Sequence, residues 1–247
     1  MTRPTGYEPL FTLQPIGEEI WLVDGPAISF YGMPFSTRMT VVRLADGTLW
    51  VHSPIEAEDA LVRAVEGLGR VRHLVAPNWI HYAYLPQWQA RFPDAQTHAA
   101  PKVEARARSR GVSLRIEHLL SDDPPADWAG QIEQLIVWGS RVHQEAVFFH
   151  RRSRTLVLTD LIENFEPEKL PVWTRPLVRM AGIRAPHGGM PRDMRLSFRM
   201  GGGLTRLRAA IDQMIAWNPQ RVIVAHGRWF ADDGVGALER AFAWLDA

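Results

Sequence analysis

Val71-Arg-His-Leu-Val-Ala-Pro-Asn-Trp-Ile-His81-Tyr-Ala-Tyr-Leu-Pro-Gln-Trp88 opens as an apolar run of strand length and closes as the start of a helix. Between the two, Ala76-Pro77-Asn78 breaks the strand into a polar turn that delivers His81 just past the strand's end. Strand tips followed by a helix are where open sheets place ligand-binding side chains, because the turn is held by a rigid neighbour yet still reaches solvent. Two later strands end in the same way. Thr155-Leu-Val-Leu-Thr-Asp160 finishes in an acid, and Arg221-Val-Ile-Val-Ala-His226-Gly finishes in an imidazole before a glycine. Three strand ends closing on His, Asp and His form a constellation with metal-ligand chemistry.

Outward from that stretch, strands and helices alternate. Residues 19–24 form an apolar run closed by Gly25-Pro26, which predicts a first strand. Residues 40–44 and 48–52 flank Ala45-Asp46-Gly47, a hairpin signal because glycine accepts the positive φ of the turn. Ala57, Leu61, Val65 and Leu68 recur at helical spacing, and helical patterns return at 85–92 and 102–110 around a short strand at 96–98. Residues 133–138, 146–149 and 155–158 are rich in β-branched and aromatic side chains and predict a second sheet, antiparallel in part. From Leu161 to Gly203, Pro167, Pro171, Pro176, Pro186, Pro191 and a Gly201-Gly-Gly203 run predict an irregular insertion with one short helix near 176–180. A helix over 204–215, a buried strand over 221–225 and a helix over 235–245 complete an α/β pattern.

Composition narrows the possibilities. The chain of 247 residues is 46% hydrophobic and 22% charged, as expected for a globular protein, and no apolar run approaches the ~20 residues of a membrane span. Residues 1–10 lack the apolar core of a secretory signal, so a cytoplasmic location is expected. With no cysteine, disulfides and thiolate ligands are excluded, and a metal must rest on His, Asp, Glu or Tyr. A net charge of +1 gives no global attraction to nucleic acid or anionic lipid. Only Lys102 and Lys169 are lysines; Arg175, Arg179, Arg184, Arg192, Arg195 and Arg199 make a basic segment that could face an anionic substrate or surface, or simply stand apart in water.

Taken in order, the hairpin, the strand leading to His81, the second sheet, Asp160, the long insertion and His226-Gly227 resemble the metallo-β-lactamase fold superfamily, most closely a subfamily that is a domain of unknown function. The resemblance covers residues 1–247 as one domain, with the insertion at about 161–203, and implies a four-layer αββα sandwich with a metal site at one edge between its sheets. The superfamily's signature is Thr-His-x-His-x-Asp-His after a strand, then a His, an Asp closing a strand and a C-terminal His. Matching Ala76 to the threonine puts Pro77 and Trp79 at the first two histidine positions, His81 at the aspartate and Tyr82 at the last histidine. Asp160 then falls on the bridging aspartate, His226 on the C-terminal histidine and His143 near the intermediate one. His52 stands where a supporting aspartate is usual, so His52 and Tyr82 are candidates for positions behind the ligands.

The resemblance implies a hydrolase of a small ester, lactone or related substrate. His81 and Asp160 would lie at the reacting centre, and His81, Asp160 and His226, with His143, would hold one zinc, iron or manganese ion. Since Pro77 and Trp79 cannot ligate, at most one ion is expected. Alternatively, the three residues are an acid–imidazole set left from an ancestral site, and the cleft of a non-catalytic protein binds a small molecule or a partner protein. His143 can equally be an exposed loop histidine, and Tyr82 and Tyr84 can be wall residues. The insertion is expected to cover the site mouth, its arginines favouring an anionic ligand.

Overall fold

The computed structural model describes residues 6–30, 32–140 and 143–246. Residues 1–5, half of the stretch read for a secretory signal, lie outside the described residues, as do Tyr31, Arg141, Val142 and Ala247.

The first sheet begins as an antiparallel meander of β1 (Gln14–Gly17), β2 (Ile20–Phe30), β3 (Met33–Arg43) and β4 (Leu49–His52). As expected, Ala45-Asp46-Gly47 makes the turn into β4, with Gly47 at φ 82°. The first strand does not stop at Gly25-Pro26. It runs on to Phe30 because the pairing with β3 shifts register between Gly25 and Ile28, and at such an irregularity a proline removes no ladder hydrogen bond. Helix α1 (Asp59–Glu66) follows, its start capped by Glu58, which accepts from the N–H groups of Ala60 and Leu61 at 2.8 and 3.0 Å. β5 (Val71–Ala76), α2 (Leu85–Arg91), β6 (Gln96–Ala99), α3 (Val103–Ser109) and β7 (His118–Leu119) then add parallel strands by helical crossovers.

The second sheet has the order β11-β10-β9-β8. β8 (Ile132–Val137), β9 (Glu145–His150) and β10 (Thr155–Val157) are antiparallel neighbours, and β11 (Arg221–Ile223) joins β10 in parallel. Its side chains alternate between two cores, as a doubly covered sheet requires. Phe148 and Val157 face the first sheet, sharing a core with Trp50, Trp88 and Trp128; Phe149 and Leu156 face outward. Four helices complete the layers: α4 (Arg175–Ala181), α5 (Arg192–Met200), α6 (Leu204–Ala216) and α7 (Gly234–Phe242). Phe198, Leu207, Met214, Leu238 and Phe242 of the last three cover the outward face. The result is a helix–sheet–sheet–helix sandwich.

The insertion is more ordered than its prolines predict. Besides α4 it holds α5 and two short 3-10 turns, and it buries Met190 and Phe198 completely. Pro191 stands just before α5 and so opens that helix instead of breaking one. The glycine run is a packing device: a Cβ on Gly203 would lie 2.3 Å from the carbonyl oxygen of Gly139.

Several histidines serve the core. His52 stacks on Trp50 at 5.3 Å, His73 Nδ1 lies 3.1 Å from His98 Nε2, and His150 Nδ1 lies 2.8 Å from Ser153 Oγ. Burial pushes the pKa of His52 and His98 down to about 3 and that of His73 and His150 down to about 4. The unfolded chain protonates these rings near pH 6.5 and the folded chain does not, so the unfolded state binds more protons below that pH. Stability should therefore be fully present above about pH 6.5 and fall by up to roughly 1.4 kcal/mol per pH unit per histidine on acidification. Melting temperatures followed from neutral pH down to about pH 5 test this, and His150→Gln should shallow the slope.

Candidate metal centre

Asn78 builds the turn that presents His81. Its Oδ1 accepts the N–H groups of Ile80 and His81 at 2.9 and 3.0 Å, closing the chain just beyond β5, while its Nδ2 donates to Asp160 Oδ2 at 2.7 Å and Thr159 Oγ1 at 2.9 Å. One buried side chain thus sets both the first ligand candidate and the second. His81 Nδ1 lies 2.7 Å from the hydroxyl of Ser53, the residue that follows β4 with φ 50°. This leaves Nε2 turned inward, 3.1 Å from Asp160 Oδ1.

Asp160 is held from behind by Glu145, the fully buried first residue of β9. Glu145 Oε1 accepts the Thr159 N–H at 2.7 Å, and Oε2 accepts those of Asp160 and Leu161 at 2.9 and 3.1 Å. His143 Nε2 donates to the same Oε2 at 3.0 Å. The alternative of an exposed loop histidine is corrected: His143 is buried, and its N–H donates to Ser140 Oγ at 2.9 Å. Burial would lower its pKa, but the bond to Glu145 and the charges of Glu145, Asp160 and Glu163 raise it.

His226 arrives after β11 on a segment braced by Arg38. That buried guanidinium pairs with Asp24 at 2.7 Å and donates through Nη1 to the carbonyls of Val224 at 2.6 Å and Gly227 at 2.9 Å. Gly227 is required at φ 89°, where a Cβ would lie 2.2 Å from the Asn164 carbonyl oxygen. His226 Nδ1 donates to the Ser36 carbonyl at 2.7 Å, and Nε2 lies 3.0 Å from Asp160 Oδ1.

Two imidazoles therefore converge on one carboxylate oxygen. A carbonyl only accepts, so His226 Nδ1 must carry hydrogen, and a neutral ring would turn the Nε2 lone pair toward an oxygen that also only accepts. A cation has to resolve this contact, either a second ring proton or a metal ion. In the proton-bound form, burial tends to raise the pKa of Asp160, but the charges and hydrogen bonds of His81 and His226 hold it well below the usual carboxylate range. Burial likewise opposes a charge on His226, and Asp160 with Glu163 raises its pKa nonetheless. The donor set also fits a metal. One ligand atom from each of His81, Asp160 and His226 lies within 4.8 Å of the others, near the roughly 3.4 Å separations of atoms around a tetrahedral zinc. The atoms of His143, Glu145 and Asp160 are equally close, but Glu145 is already occupied by backbone N–H groups.

The centre opens into a cavity of about 650 Å³ whose walls are mostly apolar, among them Met33, Phe35, Ile55, Trp79 and Ile80. The insertion supplies Leu177, Val178, Ala181, Ile183, Pro191 and Met194 to its wall. None of the six arginines of the insertion lines it; α4 contributes the apolar Leu177 and Val178, and the cationic side chain in the wall is Arg38. Acids are present too, Asp193 and Glu163, and burial pushes Glu163 up to about 8. His52 packs against Trp50 and Phe148 with Nε2 unpartnered, and Ser53, its neighbour, contacts the ligand candidate. Tyr82 belongs to the core, whereas Tyr84 lines the cavity. Asn78, Ser53, Glu145 and Arg38 were not singled out from sequence. An acid opening the apolar run of β9 and an arginine inside β3 were the signals available, since a buried charge needs partners.

Replacing Glu145 by Ala strands three backbone N–H groups and His143 in the interior, at about 1–3 kcal/mol for each unsatisfied group. Chemical denaturation of Glu145→Ala should show a loss of roughly 3–5 kcal/mol, and Glu145→Gln a smaller one.

Among solved structures the chain is similar to DIM-1 metallo-β-lactamase exposed to ceftazidime, at 15% identity and a TM-score of 0.66, covering 96% of this chain and 97% of that one. A metallo-β-lactamase from Pontibacter korlensis aligns at 12% identity and a TM-score of 0.62 over 95% and 98% of the two chains. FIM-1 from Pseudomonas aeruginosa in its mono-zinc form aligns at 11% identity and 0.63 over 95% and 94%. At such identities the likeness establishes the metallo-β-lactamase fold. No curated protein matches the sequence. Residues 17–187, however, match the domain of unknown function DUF4336, and the chain belongs to that family.

Proposed function

We propose that this protein is a hydrolase of the metallo-β-lactamase fold with a single divalent metal, zinc, iron or manganese, that acts on a small ester, lactone or related substrate with an apolar body. The observation that carries this reading is the convergence of His81 Nε2 and His226 Nε2 on Asp160 Oδ1 at 3.1 and 3.0 Å, at the edge of an apolar cavity. His81, Asp160 and His226 would hold the ion. In the sequence matching Pro77 and Trp79 fall at the places of two histidines of the superfamily's motif, and neither side chain can ligate, which supports one ion and not two. When bound, the metal supplies Lewis acidity, polarising a carbonyl and making water more acidic.

The chain's own groups do the rest. Ser53 and the Ser36 carbonyl orient the two imidazoles through Nδ1, the arrangement that directs Nε2 inward. Asn78 and Glu145 fix Asp160 through its second oxygen and its backbone. The apolar walls hold the substrate's body and exclude bulk water from the reacting bond. Glu163 lines the same cavity and can pass a proton to the departing oxygen as the carbon–oxygen bond breaks, taking one back from the water that adds to the carbonyl carbon.

Protein purified without added metal should carry about one equivalent, and Asp160→Asn should lose most of it. Ester hydrolysis should fall with the metal in the same variant, by about a hundredfold or more. No metal uptake from added zinc, iron or manganese would leave the non-catalytic cleft as the better account, and two equivalents would contradict the single ion.

A further inference from the structure

Exposed large apolar side chains are concentrated in one segment. Of those among the described residues, all but Leu119 lie between 172 and 204, including Val172 at 73% exposure, Trp173 at 60%, Leu177 at 43% and Met180 at 66%. Single exposed apolar residues are ordinary, whereas a cluster marks a contact surface. Trp173, Leu177 and Met180 recur at helical spacing along α4 and the turn before it, while Val178 on the opposite side packs into the core of Phe165, Leu170 and Ile183. Arg175 and Arg179 are exposed on the same helix, both to one side of this stripe, Arg175 with its Nε donating to the Leu170 carbonyl at 3.4 Å, and Arg192 and Arg195 pack beside Gly182 at the end of α4. None of these arginines makes an ion pair among the described residues. The stripe also continues inward, because Leu177 is both exposed and part of the cavity wall.

We propose that the face formed by Val172, Trp173, Leu177 and Met180, with Arg175 and Arg179, docks on an anionic phospholipid bilayer and opens the cavity to apolar ligands dissolved in that bilayer. Apolar side chains with tryptophan beside arginines match the two levels of a membrane interface, acyl chains below and anionic headgroups above. Charge decides between a bilayer and a second copy of the chain. A symmetric contact through this face would set arginine against arginine, with only Glu168 and Asp193 as exposed acids nearby. An anionic headgroup layer supplies the missing partners, and the attraction is local, so the net charge of +1 does not oppose it. A ligand suited to a mostly apolar cavity also partitions into lipid more than into water.

The test is co-sedimentation of the full chain with vesicles of roughly one part phosphatidylglycerol to two parts phosphatidylcholine, compared with phosphatidylcholine alone. Its readout needs neither metal nor turnover, so it stands or falls separately from hydrolysis. The bound fraction should be about tenfold higher on the anionic vesicles and drop as salt is raised. Trp173→Glu and the double variant Arg175→Glu, Arg179→Glu should each lose most of it with an unchanged melting temperature. Brominated acyl chains should quench the wild-type fluorescence, and Trp173→Phe should remove most of that quenching, a check that requires no disruptive substitution. Absence of binding at low salt, binding unaffected by these variants, or self-association through this face without vesicle binding overturns the proposal.

Discussion

A carboxylate cannot stay charged in an apolar interior without a cation beside it, and the architecture around Asp160 follows from that constraint. Its Oδ1 faces two imidazoles, its Oδ2 takes the Asn78 amide, and its N–H is given to Glu145. Each of these partners is in turn held by another group. Glu145 spends both oxygens on the backbone of residues 159–161 and on His143, and His226 is locked by the Ser36 carbonyl while Arg38 binds the carbonyls on either side. The nested arrangement keeps Asp160, Glu145, His143 and Arg38 paired, and it leaves the two Nε2 atoms as the ones directed at the acid.

Much of the fold was legible because period and punctuation agree along most of the chain. The alternation of Phe148 and Phe149, or of Leu156 and Val157, is a strand pattern that burial on both faces turns into a continuous apolar run. His81, Asp160 and His226 were legible for a related reason: each is the first titratable residue after such a run, where the backbone leaves the sheet at a common edge. Two features misled. Proline signals a break, but Pro26 sits at a register shift and Pro191 before a helix, both positions where a missing N–H is harmless. Composition could not tell on which side of α4 the arginines would lie, since that depends on which face Val178 finds a core to enter.

Residues acting from behind the site were harder to read. Asn78 is a plausible turn residue and Glu145 a plausible strand end, and nothing local distinguishes them from the many that face water. Their roles come from a second segment about 80 residues away for Asn78 and 14–16 away for Glu145, brought near by the sheets alone. Fold likeness at 10–15% identity leaves the same gap, because it preserves the strand ends while the side chains behind them are free to change.

The bonds made by Asn78 and Arg38 have one more property: both cross from the first sheet to segments that leave the second. With Pro77 accepting from Ala146 at 2.8 Å, they stitch the two sheets along the edge where the centre lies. Because His81 belongs to one side of that seam and Asp160 and His226 to the other, anything bound between them acts as a fastener for the whole sandwich. Occupancy and global stability are then thermodynamically linked, and the melting temperature becomes a titration curve for whatever the centre binds.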